Sequence, residues 1–289
     1  MIHQCKNNAT IAPMKSLIAF LTTLILSTAL FGAPTQCDGL YYADEAPDIV
    51  NVKLSPKTKE LCYSSFAIMH SGISRTPLWA AEHLTKEGLR HKSKRSNDFH
   101  PEDQLDTDER AELADYSHSG YDRGHMAPAA DMGGKKAQHE CFTLANMVPQ
   151  DSNNNRGIWS AIEGATRHFT NQKGELYVIT GSIFDTVQVK RVGGRVLVPS
   201  KLYKAIYDPS SGQAAAYLVN NQPSNDYQVV SVSQLEQLTG IRFFPKMSLS
   251  SKQKAMELPA PQQHHGGSYN NLTNKEMINI IGKILNLLL

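Results

Sequence analysis

Short apolar runs and long polar stretches alternate along the chain, and the apolar runs differ in period. ELYVITGSIFD, Glu175 to Asp185, is dense in β-branched and aromatic residues and closes on Gly and Asp signals, which predicts a strand. RVLVPSKLYKAIYD and QAAAYLVNN, spanning Arg195 to Asn221, continue that pattern. CYSSFAIMHS (Cys62 to Ser71) and CFTLANMVP (Cys141 to Pro149) carry shorter strand-like runs. TPLWAAEHLTKEGL, Thr76 to Leu89, has helix-forming residues behind Thr76 and Pro77 and reads as a helix. NNNRGIWSAIEGATRHFTN, from Asn153, reads as a second helix between two of the strands. VSVSQLEQLTGIRFFP, Val230 to Pro245, reads as a strand leading into a short helix that stops near Gly240. Strands mixed with helices, without regular βαβ alternation, argue for an α+β domain.

The polar stretch from His91 to Gly120 holds a basic cluster and then an acidic one, and its default reading is a solvated surface excursion. Residues 257–271 form a linker by their Pro, Gln and Gly content, and residues 272–289 open with the capping-box pattern Thr273 to Glu276 and continue as an apolar-rich helix. That helix is short for a membrane span and suits docking on the domain or a partner. The adjacent His264 and His265 are read as solvated linker residues. At the other end, Lys15, an apolar run from Leu17 to Leu26 and the small residues up to Ala33 have the layout of a secretory signal over residues 1–33, with Met1 or Met14 as the start. A retained anchor is the alternative. The folded domain is therefore expected over 38–250, in a secreted or periplasmic protein whose mature chain has no transmembrane span.

The 289 residues are 40% hydrophobic and 19% charged, an ordinary soluble composition. A formal net charge of +2 excludes a global basic field, so any anionic partner must be held by locally placed Arg and Lys. Removal of the leader leaves Cys37, Cys62 and Cys141 of four cysteines. An exported chain can oxidise one pair, and Cys37 with Cys62 is the expected one, although three pairings are open. Cys141, in the apolar-flanked ECFTLANM, reads as a small buried thiol. With neither CxxC nor a Cys/His quartet, structural zinc is not indicated.

Two segments carry the candidate chemistry. YDRGHMAPAAD, Tyr121 to Asp131, places Asp122, Arg123 and His125 around Gly124. An imidazole with an ordinary pKa of about 6.5 accepts a proton from water near neutrality, a guanidinium offers phosphate a planar fork, and glycine lets backbone approach a ligand closely. In the helix after Asn153, Asn155, Trp159, Glu163 and Arg167 step by about 40° each around a regular axis and share one side. Surface pairs around a packed Trp159 are the plain alternative. Asn155 offers a neutral oxygen to a hard cation such as Mg²⁺, and Glu163 could hold one of its waters. That combination suits in-line attack on a phosphodiester.

Read together, YDRGHMAPAAD, LANMVPQDSNNNRGIWSAIE, YVITGSIFD and QLTGIRFFP resemble the DNA/RNA non-specific endonucleases, which include secreted bacterial nucleases and mitochondrial endonuclease G. The resemblance runs from about Ser65 to Pro245 in the family's order and spacing. It implies a ββα-metal (His-Me finger) fold, a mixed or antiparallel sheet core with flanking helices. The family's general base falls on His125, its metal ligand on Asn155, the carboxylate that orients metal-bound water on Glu163, and the motif arginine on Arg123. Arg167 matches an arginine associated with phosphate, Asn146 an active-site asparagine, and Arg75 the upstream arginine; Asp122 takes a loop-orienting role. The run Asn153 to Asn155 leaves a one-residue ambiguity, which the spacing to Gly157, Trp159 and Glu163 resolves in favour of Asn155.

The implied function is an exported, Mg²⁺-dependent endonuclease, with Mn²⁺ as a substitute, that engages DNA and RNA through phosphate. A phosphodiesterase for small nucleotides and a non-catalytic nucleic-acid-binding protein are the alternatives. A basic groove beyond the site would decide, and Lys92, Lys94 and Arg95 are candidates for its wall. The sequence leaves open the DNA or RNA preference and whether an inhibitor protein guards the producing cell.

Overall fold

The computed structural model describes Met1 and residues 33–262. The expected leader, the greater part of the linker and the C-terminal helix therefore lie outside the described residues. Among the described residues no helix is long and apolar enough to cross a membrane.

Seven antiparallel strands form the central sheet. They are β1 (Thr58–Cys62), β2 (Ala67–Ser71), β3 (Thr76–Thr85), and, after two shorter strands described below, β6 (Glu175–Ile183), β7 (Lys201–Asp208), β8 (Gln213–Asn220) and β9 (Gln228–Val230). Their order across the sheet is β9-β8-β7-β6-β3-β2-β1. The middle strands are buried on both faces, which explains why they read as near-continuous apolar runs. One core, with Ala80, Val178 and Ile206 of the sheet, packs under Trp159 and Ile162; the other, with Trp79, Tyr203 and Ala216, packs under Leu235, Phe243 and Phe244. Gly181 is required at the centre. A Cβ there would come within 2.3 Å of both the Leu78 carbonyl oxygen and the Tyr203 hydroxyl.

The expected helix over Thr76 to Leu89 is instead β3. Ala, Glu and Leu favour a helix locally, but this segment pairs with β2 on one side and β6 on the other, from Trp79 opposite Gly181 to Thr85 opposite Glu175. Two flanking partners and burial of Thr76 to Glu82 outweigh an intrinsic preference of a few tenths of a kcal/mol per residue, on the order of the spread among ordinary residues. The excursion after it is also not merely solvated. Glu102, Leu105, Ala111, Asp115 and Tyr116 within it are buried.

Two short strands, β4 (Asp122–His125) and β5 (Met147–Gln150), form a separate antiparallel pair, with Asp122 opposite Gln150 and His125 opposite Met147. CFTLANMVP is thus only partly a strand, because a helical turn at Leu144–Asn146 precedes β5. Asp151 then caps the next helix, accepting from the Asn153 and Asn154 amides at 3.0 Å. A first turn, Ser152–Asn154, passes into a π-type turn at Asn155–Trp159 and then into α1, Ser160–Lys173. A later helix, α2 (Val232–Thr239), ends at Gly240, whose φ of 68° needs glycine's freedom.

Cys37 and Cys62 are joined as a disulfide, Cα–Cα 5.2 Å, tying the N-terminal segment to the outermost strand. Cys141 is free and buried.

Candidate active site

The DRGH strand reaches the surface of a cleft because of one missing side chain. At Gly124 a Cβ would come 2.0 Å from the Gln150 side-chain oxygen and 2.7 Å from its Cβ, so only glycine lets β4 lie this close to β5. His125 follows it and is 7% exposed. Its ring meets Phe142 edge-on at 4.8 Å and Phe99 at 5.8 Å. Burial, reinforced by the charges of Arg95 and Arg123, holds its pKa down at about 3, so the imidazole is neutral near pH 7.

Behind the histidine, Asn146 fixes the MAPA segment. Its Oδ1 accepts from the Ala127 amide, and its Nδ2 donates to the carbonyls of Ala127 and Cys141, all at 2.9 Å. These are backbone bonds within the core, and the side chain is fully buried. Asn146, expected as an active-site asparagine, thus faces the core here and holds the loop after His125.

A cleft of about 600 Å³ opens in front of this hairpin, lined by Arg95, Tyr121, Asp122, Arg123, Asn155 and Arg156 among others. Arg123 lies flat over the Phe99 ring, 4.0 Å from its centroid, which fixes the guanidinium at the wall. Asp122 accepts from Arg156 at 2.9 and 2.7 Å and from the Asn155 Nδ2 at 2.9 Å. With its nitrogen engaged, the Asn155 amide has its Oδ1 left over, and that oxygen accepts no hydrogen bond from the described residues. A neutral amide oxygen at a phosphate-binding wall fits a hydrated hard cation such as Mg²⁺.

Glu163 lies in the first turn of α1, half-buried, and its carboxylate likewise accepts no hydrogen bond from the described residues. Burial raises its pKa to about 7, while Lys204, Arg167 and Arg95 pull it down. Arg167 pairs with Asp131 at 2.9 Å and, with Lys92 and Arg95, lines a second groove of about 450 Å³. Asn155 and Glu163 are not connected by regular winding. The π-type turn places Gly157 at φ −102° and ψ −108°, so the regular stepping of about 40° from Asn155 to Trp159 does not hold.

Arg75 does not join this site. It is a non-glycine residue at φ 56°, and its guanidinium donates to the Arg195 carbonyl at 3.1 Å and the Asp108 carbonyl at 2.6 Å. The upstream arginine at the cleft is Arg95, which lines both grooves and lies 4.9 Å from the Phe142 ring. Its signal in the sequence was the basic run KSKRS, where it and Lys92 were read only as groove wall. Lys94 lines neither groove.

The model of the DNA/RNA non-specific endonuclease family matches residues 46–250. The chain belongs to that family. Members of the DNA/RNA non-specific endonucleases similar to it include the mitochondrial nuclease EXOG of Danio rerio, 35% identical over 208 residues that cover 64% of this chain and 60% of the relative. Nuclease C1 of Cunninghamella echinulata var. echinulata is 34% identical over 210 residues, covering 65% of this chain and 83% of its own. The chain thus matches about 60% of the length of the first of these and more of the second. Among solved structures, the EndoG/EndoGI complex superposes with a TM-score of 0.62 at 29% identity, covering 66% of this chain and 88% of that one. The hairpin β4–β5 followed by α1 is the ββα-metal element of the endonuclease fold, set in an α+β domain with an antiparallel sheet.

Proposed function

We propose that the protein is an exported, divalent-cation-dependent endonuclease that hydrolyses DNA and RNA phosphodiesters without sequence specificity. The observation that carries this reading is a buried, neutral His125 two residues from Arg123 in one hairpin strand, with Arg123 and Asn155 both lining the cleft. His125, unprotonated near pH 7, accepts the proton of the attacking water. Arg123 and Arg95 hold phosphate oxygens on the cleft wall, and Arg167 continues the cationic surface into the neighbouring groove. The Asn155 Oδ1 and, through water, Glu163 would hold Mg²⁺ or Mn²⁺, which supplies charge stabilisation at the departing oxygen. Asp122 keeps the Asn155 amide turned so that its oxygen is available. The cations of this wall contact phosphate, which carries no base information, and that supports indifference to sequence and to the sugar.

Export is supported by the Cys37–Cys62 disulfide, a bond that persists in oxidising compartments. Family names point elsewhere for some relatives, since the Danio rerio protein is described as mitochondrial. The expressed chain should nick and then degrade both supercoiled plasmid and total RNA with Mg²⁺ and neither with EDTA. His125→Ala should lose cleavage by roughly 10²- to 10⁴-fold while still binding nucleic acid. Folded protein that cuts neither polymer under any divalent metal would overturn the polymer substrate and redirect the test to small phosphodiesters.

A further inference from the structure

A third groove, of about 910 Å³, runs along α1, and the mechanism above leaves it unused. Gly157 and Gly164 line it, and at Gly164 a Cβ would meet nothing within 4 Å, so a ligand can come close to the helix backbone. Pro259, Ala260 and Gln262 line it as well. The fold holds that segment in place: the Met256 amide donates to the Ala214 carbonyl at 2.9 Å, and the Tyr217 hydroxyl donates to the Pro259 carbonyl at 2.5 Å.

Among the described residues no aspartate or glutamate lines this groove, in a chain that has 27 of them, whereas Arg156, Arg167 and His168 do. Both arginines have a carboxylate partner, Arg156 in Asp122 and Arg167 in Asp131, which offsets part of their charge but also pins them. Arg156 gives its Nε and Nη2 to Asp122, and Arg167 its Nη1 to Asp131; Nη1 of the first and Nη2 of the second donate to no described residue. A guanidinium already held in place loses less freedom when it takes a phosphate oxygen. The three grooves also meet in pairs, with a guanidinium at each junction: Arg95 between the cleft and the second groove, Arg167 between the second and third, and Arg156 between the third and the cleft. A strand leaving the cleft past Arg156 therefore has the third groove ahead of it. The rise from Arg156 to His168 is about 18 Å at about 1.5 Å per residue, which about five stacked nucleotides cover at about 3.4 Å per phosphate.

We propose that the groove along α1 binds the polynucleotide strand flanking the scissile bond, so that the preferred substrate is a polymer reaching about five nucleotides beyond the cut rather than a small nucleotide. This rests on the reading of the cleft as a site for phosphodiester hydrolysis. The test is fluorescence anisotropy in EDTA, with labelled single strands of about four and about twelve nucleotides and the full chain as wild type, His168→Lys, His168→Glu and Lys53→Gln. His168 is exposed on the helix and both replacements are good helix formers, so the fold is kept. Lys53 is exposed beside Asn51, whose amide donates to the Gly240 carbonyl at the end of α2, on the opposite face of the sheet. The longer strand should bind wild type at least about tenfold tighter than the short one. His168→Lys should tighten the longer strand by about threefold and His168→Glu weaken it by about fivefold, with short-strand binding unchanged and Lys53→Gln like wild type. A merely structural role would not move the two His168 variants in opposite directions. Equal affinity for both lengths, His168 variants within about twofold of wild type, or equal shifts on both lengths overturns the inference and leaves the groove to another occupant. Cleavage of the longer strand on adding Mg²⁺ reads the underlying function separately. Cleavage without these binding effects removes the groove and keeps the nuclease; the binding effects without cleavage keep the groove and remove the nuclease.

Discussion

The Asn155 amide is oriented by Asp122, whose Oδ2 accepts its Nδ2 hydrogen at 2.9 Å while Arg156 grips the same carboxylate from outside. The two residues are 33 apart in the chain and come from the hairpin and the helix. Their bond joins the strand that carries His125 to the turn that carries Asn155.

Asp122→Ala should therefore act on the cation rather than on the base. The released amide can rotate, so the Mg²⁺ concentration for half-maximal cleavage should rise by roughly 10- to 100-fold, the usual cost of losing an outer partner of a ligand. Cleavage titrated with Mg²⁺ checks this. An unchanged Mg²⁺ requirement would show that Asp122 does not set the amide.

Arg95 and Arg75 should separate activity from stability. Arg95→Ala removes a cleft guanidinium and should lower kcat/KM by roughly 10- to 100-fold with little change in Tm. Arg75→Ala removes donors to two backbone carbonyls and should cost about 1–3 kcal/mol of stability with near-normal kcat/KM below its melting temperature. Denaturant titration beside steady-state kinetics distinguishes the two.

His125 also links folding to pH. Its folded pKa, about 3, lies below the ordinary 6.5, so the unfolded chain binds the extra proton first. The stability associated with keeping it neutral is fully present above pH 6.5 and is lost as pH falls towards 3. Between pH 7.5 and 5 that loss is about 2 kcal/mol. Glu163, raised to about 7, works with the opposite sign, gaining stability as pH falls from 7 to its ordinary value. The two nearly offset each other in the wild type. Urea unfolding of His125→Asn at pH 7.5 and 5 should expose the Glu163 contribution, with the variant gaining on wild type at pH 5.

Gly124→Ala tests the close approach of the hairpin strands. Its methyl group would meet the Gln150 side chain, which is buried, so relief requires the strands to separate. A stability cost of about 1–3 kcal/mol is expected, with cleavage reduced further than folding. Gly124→Ala combined with Gln150→Gly should recover more of the stability than the combination with Gln150→Ala, which keeps a Cβ at 2.7 Å.

Much of this was legible in the sequence, and for identifiable reasons. The later strands are long apolar runs with β-branched and aromatic residues, and the helix behind Asn155 is strongly periodic over Trp159 to Phe169. DRGH and the spacing from Asn155 to Glu163 pointed to the family that the chain belongs to, because local motifs carry local geometry. What failed was non-local. Residues 76–85 look helical until their neighbours on both sides are known. Arg75 and Arg95 are both plausible by composition, and only the fold shows that the first is tied to carbonyls while the second faces the cleft. Glu82 sits among helix formers, with nothing in its neighbourhood to announce a buried carboxyl.

The π-type turn at Asn155–Trp159 has a further implication for how this helix tolerates change. Eight residues of regular winding would leave Asn155 and Glu163 about 80° apart around the axis, and accommodating one extra residue in a wider turn removes most of that offset. Length and phase are thus decoupled here: the segment is one residue too long for its geometry, and the surplus brings amide and carboxylate towards a common side. Deleting a residue between Gly157 and Ser160 would restore the hydrogen-bond ladder and leave the two about 20° apart by regular winding, so a shorter, more regular helix should keep amide and carboxylate on one side.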